Sequence, residues 1–143
     1  MKGPGKILIA LYGAVSGMKD VLVQGIQIAR EEKCWIIVVG IVPPYEGDLS
    51  LVGVKDPVNV LGSGGQKMVE EIKDIARAEK ALIKTRLEEG EIDEKIIEIA
   101  EEERCSLIVM GGSKTNWFEK TFGKNVVESV INHAPCPLLV VGA

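Results

Sequence analysis

SLIVMGGSKTNWFEKTFGKNVVESVINHAPCPLLVVGA, residues 106–143, interlocks several short signals at fixed spacing. Leu107-Ile108-Val109-Met110 is an apolar run that stops at Gly111-Gly112. A polar loop follows, Gly123 opens an amphipathic helix, and Pro135 and Pro137 bracket the step into Leu138-Leu139-Val140-Val141. The order is strand, glycine loop, helix, strand. A glycine-rich turn between a strand and its crossover helix presents backbone N–H groups in the way that a phosphate requires.

The same alternation runs back to the N-terminus. Lys6 to Leu11 is a continuous apolar run ended by Tyr12-Gly13-Ala14, as expected of a strand covered on both faces. Ser16 offers an N-cap, and Val21, Leu22, Ile26, Ile28 and Ala29 recur at helical spacing as far as Glu32. Trp35 to Val42 is a second apolar strand, halted by Pro43-Pro44. Tyr45 to Gln66 is broken by Gly47, Gly53, Pro57, Gly62, Gly64 and Gly65, and reads as one long loop, more mobile than its flanking strands. Its Leu49, Leu51, Val52, Val54, Val58 and Val60 leave two readings, a lid over a ligand crevice or a packed or partly disordered excursion, with a subunit contact as one place for it. Lys67 to Glu79 restores the helical period, and Ala81 to Leu87 alternates as a half-exposed edge strand does. Gly90 breaks that strand and Asp93 can cap the next helix, whose charge run Glu98, Glu101, Glu102, Glu103, Arg104 reads as a solvated face. Five strands alternating with helices imply a doubly wound parallel sheet with helices on both faces, in one domain spanning residues 1–143.

Composition narrows the function. A chain of 143 residues with 46% hydrophobic content fills one core, and a net charge of -4 with scattered cations argues against a nucleic-acid partner. MKGPGK followed by ILIAL is no signal peptide, and no run approaches the length of a membrane span, so a cytoplasmic location is expected, away from membranes. Cys34, Cys105 and Cys136 are far apart, each beside a strand, and read as small hydrophobes rather than metal ligands or a redox pair.

His133 to Val141, HAPCPLLVV, together with KILIAL at the start, the Pro-Pro turn after the second strand and EEGEIDEKIIEIAEEERCSLIVMG, resembles the universal stress protein family across nearly the whole chain. The resemblance implies the adenine nucleotide alpha hydrolase-like fold, strand order 3-2-1-4-5, with a crevice where strands one and four diverge. It further implies a non-catalytic regulatory module that binds ATP, with magnesium, or another adenine nucleotide in that crevice. In nucleotide-binding members the phosphate loop reads G-x-x-G-x9-G-[ST], and an Asp ends strand one. Here Gly111, Gly112, Ser113, Lys114, Gly123, Lys124 and Asn125 stand at the loop positions, one residue short, with Lys124 in the hydroxyl place. Tyr12-Gly13 stands where the Asp would be, so Tyr12 would stack on or hydrogen-bond the base, and Ile41 matches an apolar pocket position. The alternative is a member without nucleotide, acting through dimerisation and contacts with a partner protein.

The remaining polar residues form no catalytic set. His133, the one histidine, lies in the last turn of a helix, where a donor satisfies free carbonyls, and no nucleophile, base or metal cluster accompanies it. Trp117 and Phe118 read as anchors of the loop, with a base-stacking platform as the alternative. Leu138, Leu139, Val140 and Val141 form a final strand with no charge and no internal proline. In the implied order this is an unguarded edge, expected to pair with the same strand of a second chain in a homodimer.

Overall fold

The computed structural model describes residues 5–12, 18–42, 57–112 and 126–142, with the side chains of 57–65 outside the description. Nine elements follow in order: β1 (Lys6–Tyr12), α1 (Lys19–Glu32), β2 (Trp35–Val42), α2 (Pro57–Ala78), β3 (Lys84–Glu89), α3 (Ile92–Glu102), β4 (Leu107–Gly111), α4 (Val126–His133) and β5 (Leu138–Val141). The strands form one sheet of order β3-β2-β1-β4-β5, all neighbours parallel, as the resemblance implies.

Connection handedness explains the layers. Steps from β1 to β2 and β2 to β3 run one way along the sheet, steps from β3 to β4 and β4 to β5 the other, so right-handed crossovers put the first two helices on one face and the last two on the other. Accordingly α1 packs with α2, and α3 with α4. The central strands are therefore buried on both sides: Leu8, Ile9, Ala10, Leu11, Val38, Val39, Ile108, Val109 and Met110 are inaccessible to solvent, which is why their sequence reads as unbroken apolar runs. Gly40 marks a close approach, since a Cβ there would collide with Met68 of α2.

Several boundaries differ from the sequence expectation. The supposed loop Tyr45 to Gln66 is helical from Pro57 onward, in the 22 residues of α2. Proline suits the first helical position, where its missing N–H has no partner to lose, and the three glycines after it cost only about 1 kcal/mol each relative to alanine. Residues 43–56 lie outside the described residues, as do Ser16, Trp117 and Phe118. β3 begins at Lys84 rather than Ala81, because its ladder starts where Ile37 meets Lys84. Asp93 does not precede α3: Glu91 stands at the N-cap, and Asp93 is buried in the first turn, where its carboxylate accepts the Ser129 hydroxyl of α4 at 2.6 Å.

Three helices end alike. Ala29 to Cys34, Ala76 to Ala81 and Ala100 to Cys105 share the pattern A-x-x-E-[KR]-[CA]. In each, the last residue's N–H donates to the alanine carbonyl at 2.9 Å. The basic residue before it, Lys33, Lys80 or Arg104, takes positive φ of 55°, 55° and 53°. This is the six-to-one closure normally given to glycine, so each basic side chain carries a backbone penalty. All three endings lie at the edge of the sheet where the strands begin.

Candidate functional site

The switch point lies where β1 has β2 on one side and β4 on the other, and a doubly wound sheet binds ligands beyond the carboxyl ends of such strands. Tyr12 ends β1, Gly111 ends β4, and Ile41 faces Tyr12 across the β1–β2 ladder. The Tyr12 hydroxyl donates to the Gly111 carbonyl oxygen at 2.9 Å. This bond crosses from one diverging strand to the other. Tyr12 is 1% exposed, and burial pushes its phenol above the ordinary tyrosine range, so it serves as a donor and not as an acid.

Met18 closes the same space from the helix side. It is buried, and a Cβ on Gly111 would stand 3.2 Å from its Cε and Sδ, so a larger residue at the strand end would require the Met18 side chain to shift. Gly112 N–H donates to the Val141 carbonyl at 2.9 Å, which ties the start of the glycine loop to the last strand. Ile41 is fully buried. The described residues thus build the base of the crevice from Tyr12, Met18, Ile41, Gly111 and Gly112, with Tyr12 and Ile41 held inside the core. A ligand at this end rests beyond them.

Of the residues expected from sequence to touch a nucleotide, the structure brings Tyr12, Ile41, Gly111 and Gly112 to one end of the sheet. Gly13, Ser113, Lys114, Gly123, Lys124 and Asn125 lie outside the described residues. Met18 escaped the sequence reading because a methionine before a helix carries no signal of its own. β5 is an edge, with Leu139 exposed and Leu138, Val140 and Val141 half-buried. His133 Nδ1 lies 2.9 Å from the Ser129 carbonyl oxygen, a contact within its own helix end.

The acidic run ending α3 is not simply a solvated face. Glu103, only 13% exposed at its side chain, receives Lys6 Nζ at 3.1 Å, Lys84 Nζ at 3.0 Å and Arg86 Nη1 at 3.2 Å. The hydrogen bonds from Lys84 and then Lys6 hold its carboxyl down at about 2. Glu102 and Glu88 also bind Arg86, completing a cluster that joins α3 to β1 and the outer strand β3. The partners are too far apart in sequence for spacing to reveal them. Two of the thiols are quiet: Cys105 is pushed up to about 11 by burial, with Cys136 nearby adding to the shift, and burial raises Cys136 as well.

The chain matches the Universal stress protein family over residues 5–142. It is 34% identical over 123 residues to universal stress protein MJ0531 of Methanocaldococcus jannaschii, covering 81% of this chain and 69% of that one. Among solved structures it resembles a universal stress protein in complex with cAMP, with TM-score 0.71, 20% identity and 98% of both chains covered. It also resembles the universal stress protein from Archaeoglobus fulgidus in complex with dAMP, with TM-score 0.67, 19% identity and 98% of both chains covered. The family match over residues 5–142, the 34% identical relative and the strand order agree, and the chain belongs to the universal stress protein family.

Proposed function

We propose that this protein is a non-catalytic regulatory module of the cytoplasm that binds an adenine nucleotide where β1 and β4 diverge. The observation that carries the proposal is the placement of Tyr12, Gly111 and Gly112 together at the switch point of a sheet whose relatives include complexes with cAMP and dAMP. β4 ends in Gly111, followed by Gly112, without a large side chain, and the buried Ile41 and Tyr12 give that end an apolar floor beneath a purine. The phosphates would fall to Ser113, Lys114, Gly123, Lys124 and Asn125, where two ammonium groups accompany the N–H groups of a loop entering a helix. ATP with magnesium fits the same loop chemistry, the cation adding charge neutralisation at the phosphates. Calorimetric titration with AMP, cAMP and Mg-ATP tests the reading: saturable heat and a raised melting temperature support it, and neither at millimolar ligand removes it.

A second reading rests on two observations. The phenol of Tyr12 is engaged with Gly111 in place of the carboxylate that the resemblance expects, and β5 offers an unguarded edge. On this reading the chain works without nucleotide, as a homodimer through Leu138, Leu139, Val140 and Val141 that meets a partner protein. Adenine nucleotide released on denaturing freshly purified protein separates the two.

A further inference from the structure

The sheet edge opposite the switch point, where the strands begin, carries the two most exposed large apolar side chains among the described residues: Trp35, 63% exposed, and Leu82, 91% exposed. They stand together between two grooves. One, of about 400 Å³, has Ile36, Ile37 and Ile83 in its lining and Lys6 and Lys84 as its charges. The other, of about 310 Å³, carries Arg30, Lys33 and Lys80, at the ends of α1 and α2. The two linings hold five basic side chains and no acidic one; Lys6 and Lys84 are already paired with Glu103, which leaves Lys33, Lys80 and Arg30 to meet a partner's charges. Lys33 and Lys80 occupy left-handed positions that would favour glycine, so a charge is kept at this edge against backbone preference. Arg30 is fixed across the second groove by donating to the Glu79 carbonyl.

We propose that this face docks an extended, acidic segment of a partner protein in which apolar side chains alternate with carboxylates. Exposed tryptophan and leucine over an isoleucine base call for apolar side chains, since such groups supply most of the energy at an interface. Lysines and an arginine around them call for carboxylates, which steer the encounter and set its orientation. Two concave grooves divided by a ridge suit a chain laid across the edge, with side chains entering on either side. A flat lipid surface would leave both grooves unfilled. The site lies at the far end of the strands from Tyr12 and Gly111, so it does not rest on nucleotide binding, and failure of one leaves the other standing.

The chain has two tryptophans, so Trp117→Phe leaves Trp35 as the single reporter. Short synthetic peptides alternating Glu with Leu, Gln with Leu and Lys with Leu are titrated against it while Trp35 emission is followed. Amide shifts of the unsubstituted protein at residues 33–36 and 80–84 give a readout that needs no substitution. The Glu-Leu peptide should produce a saturable blue shift, weakened by added salt and by about tenfold in Lys33→Glu/Lys80→Glu, whose circular dichroism should match the parent. The Gln-Leu peptide should bind more weakly and the Lys-Leu peptide not at all. No saturable response to the Glu-Leu peptide, or equal binding by the charge-reversed variant, overturns the proposal. So does a Trp35 shift produced by phosphatidylglycerol vesicles but not by peptide, which assigns the face to a lipid surface. A shift that follows protein concentration alone, with dimers in sedimentation, assigns it to a second copy and equally overturns it.

Discussion

Replacing Glu103 by Gln removes the negative charge that gathers three cations from two strands, Lys6 of β1 and Lys84 and Arg86 of β3. The parent carboxyl titrates at about 2 against an ordinary 4.5. Taken whole, that depression corresponds to about 3 kcal/mol of stabilisation. Most of it is screened, because the Lys84 side chain is 62% exposed and that of Lys6 33%, which brings the estimate to roughly 1–1.5 kcal/mol. A carboxylate just past the C-terminus of α3 also opposes the helix dipole, and losing it returns a few tenths of a kcal/mol, so the net expected loss is about 1 kcal/mol. Urea denaturation of parent and variant at neutral pH and low salt measures it. The folded-state pKa is depressed, so the stabilisation is complete above the unfolded value of 4.5 and is lost as pH falls toward 2. The gap between the two proteins should therefore narrow by more than half by about pH 3, and also shrink with salt. Equal stability at neutral pH, or a gap that persists unchanged into acid, would refute the assignment of Glu103 as the hub.

Two further predictions concern the backbone and the open edge. Lys33→Gly, Lys80→Gly and Arg104→Gly should each stabilise the protein by about 0.5–1 kcal/mol, since relief of the left-handed penalty exceeds the entropy glycine adds to the unfolded chain; thermal denaturation of the triple variant should show a clearly higher Tm, and a lower one would contradict the capping geometry. Val140→Lys, on β5, should shift a dimer toward monomer in sedimentation, because a charge guards an edge strand from pairing; a parent that is already monomeric at high micromolar concentration removes the basis for the dimer.

Much of the sheet was legible because its central strands are buried on both faces, which forces continuous apolar runs such as Lys6 to Leu11 and Trp35 to Val42. β3 was harder to place. As an outer strand it keeps Lys84, Thr85 and Arg86 in its first half, so its alternation extends into the coil before it and its start cannot be fixed by pattern. The first half of α2 was missed because glycine and proline count against a helix in any local reading, although proline fits the first helical position and the helix runs on through the glycines. At the switch point, residue identities located Tyr12, Ile41, Gly111 and Gly112 correctly at one end. They could not show that the phenol reaches the Gly111 carbonyl, 99 positions away, or that Met18 fills the gap beside it. The Glu103 cluster was hidden for the same reason: Lys6 lies 97 positions from its partner, and a run of glutamates read locally is only a wet helix face.

We propose that an adenine nucleotide occupies the end of the sheet where β1 and β4 separate. Mapping the backbone amide shifts of isotopically labelled protein during titration with AMP, cAMP and Mg-ATP tests it most directly. Saturable shifts are expected at residues 11–13, 41–42, 111–114 and 123–125, with those near Trp35 and Leu82 unmoved. No shifts at millimolar nucleotide, or shifts confined to the opposite edge of the sheet, would contradict it.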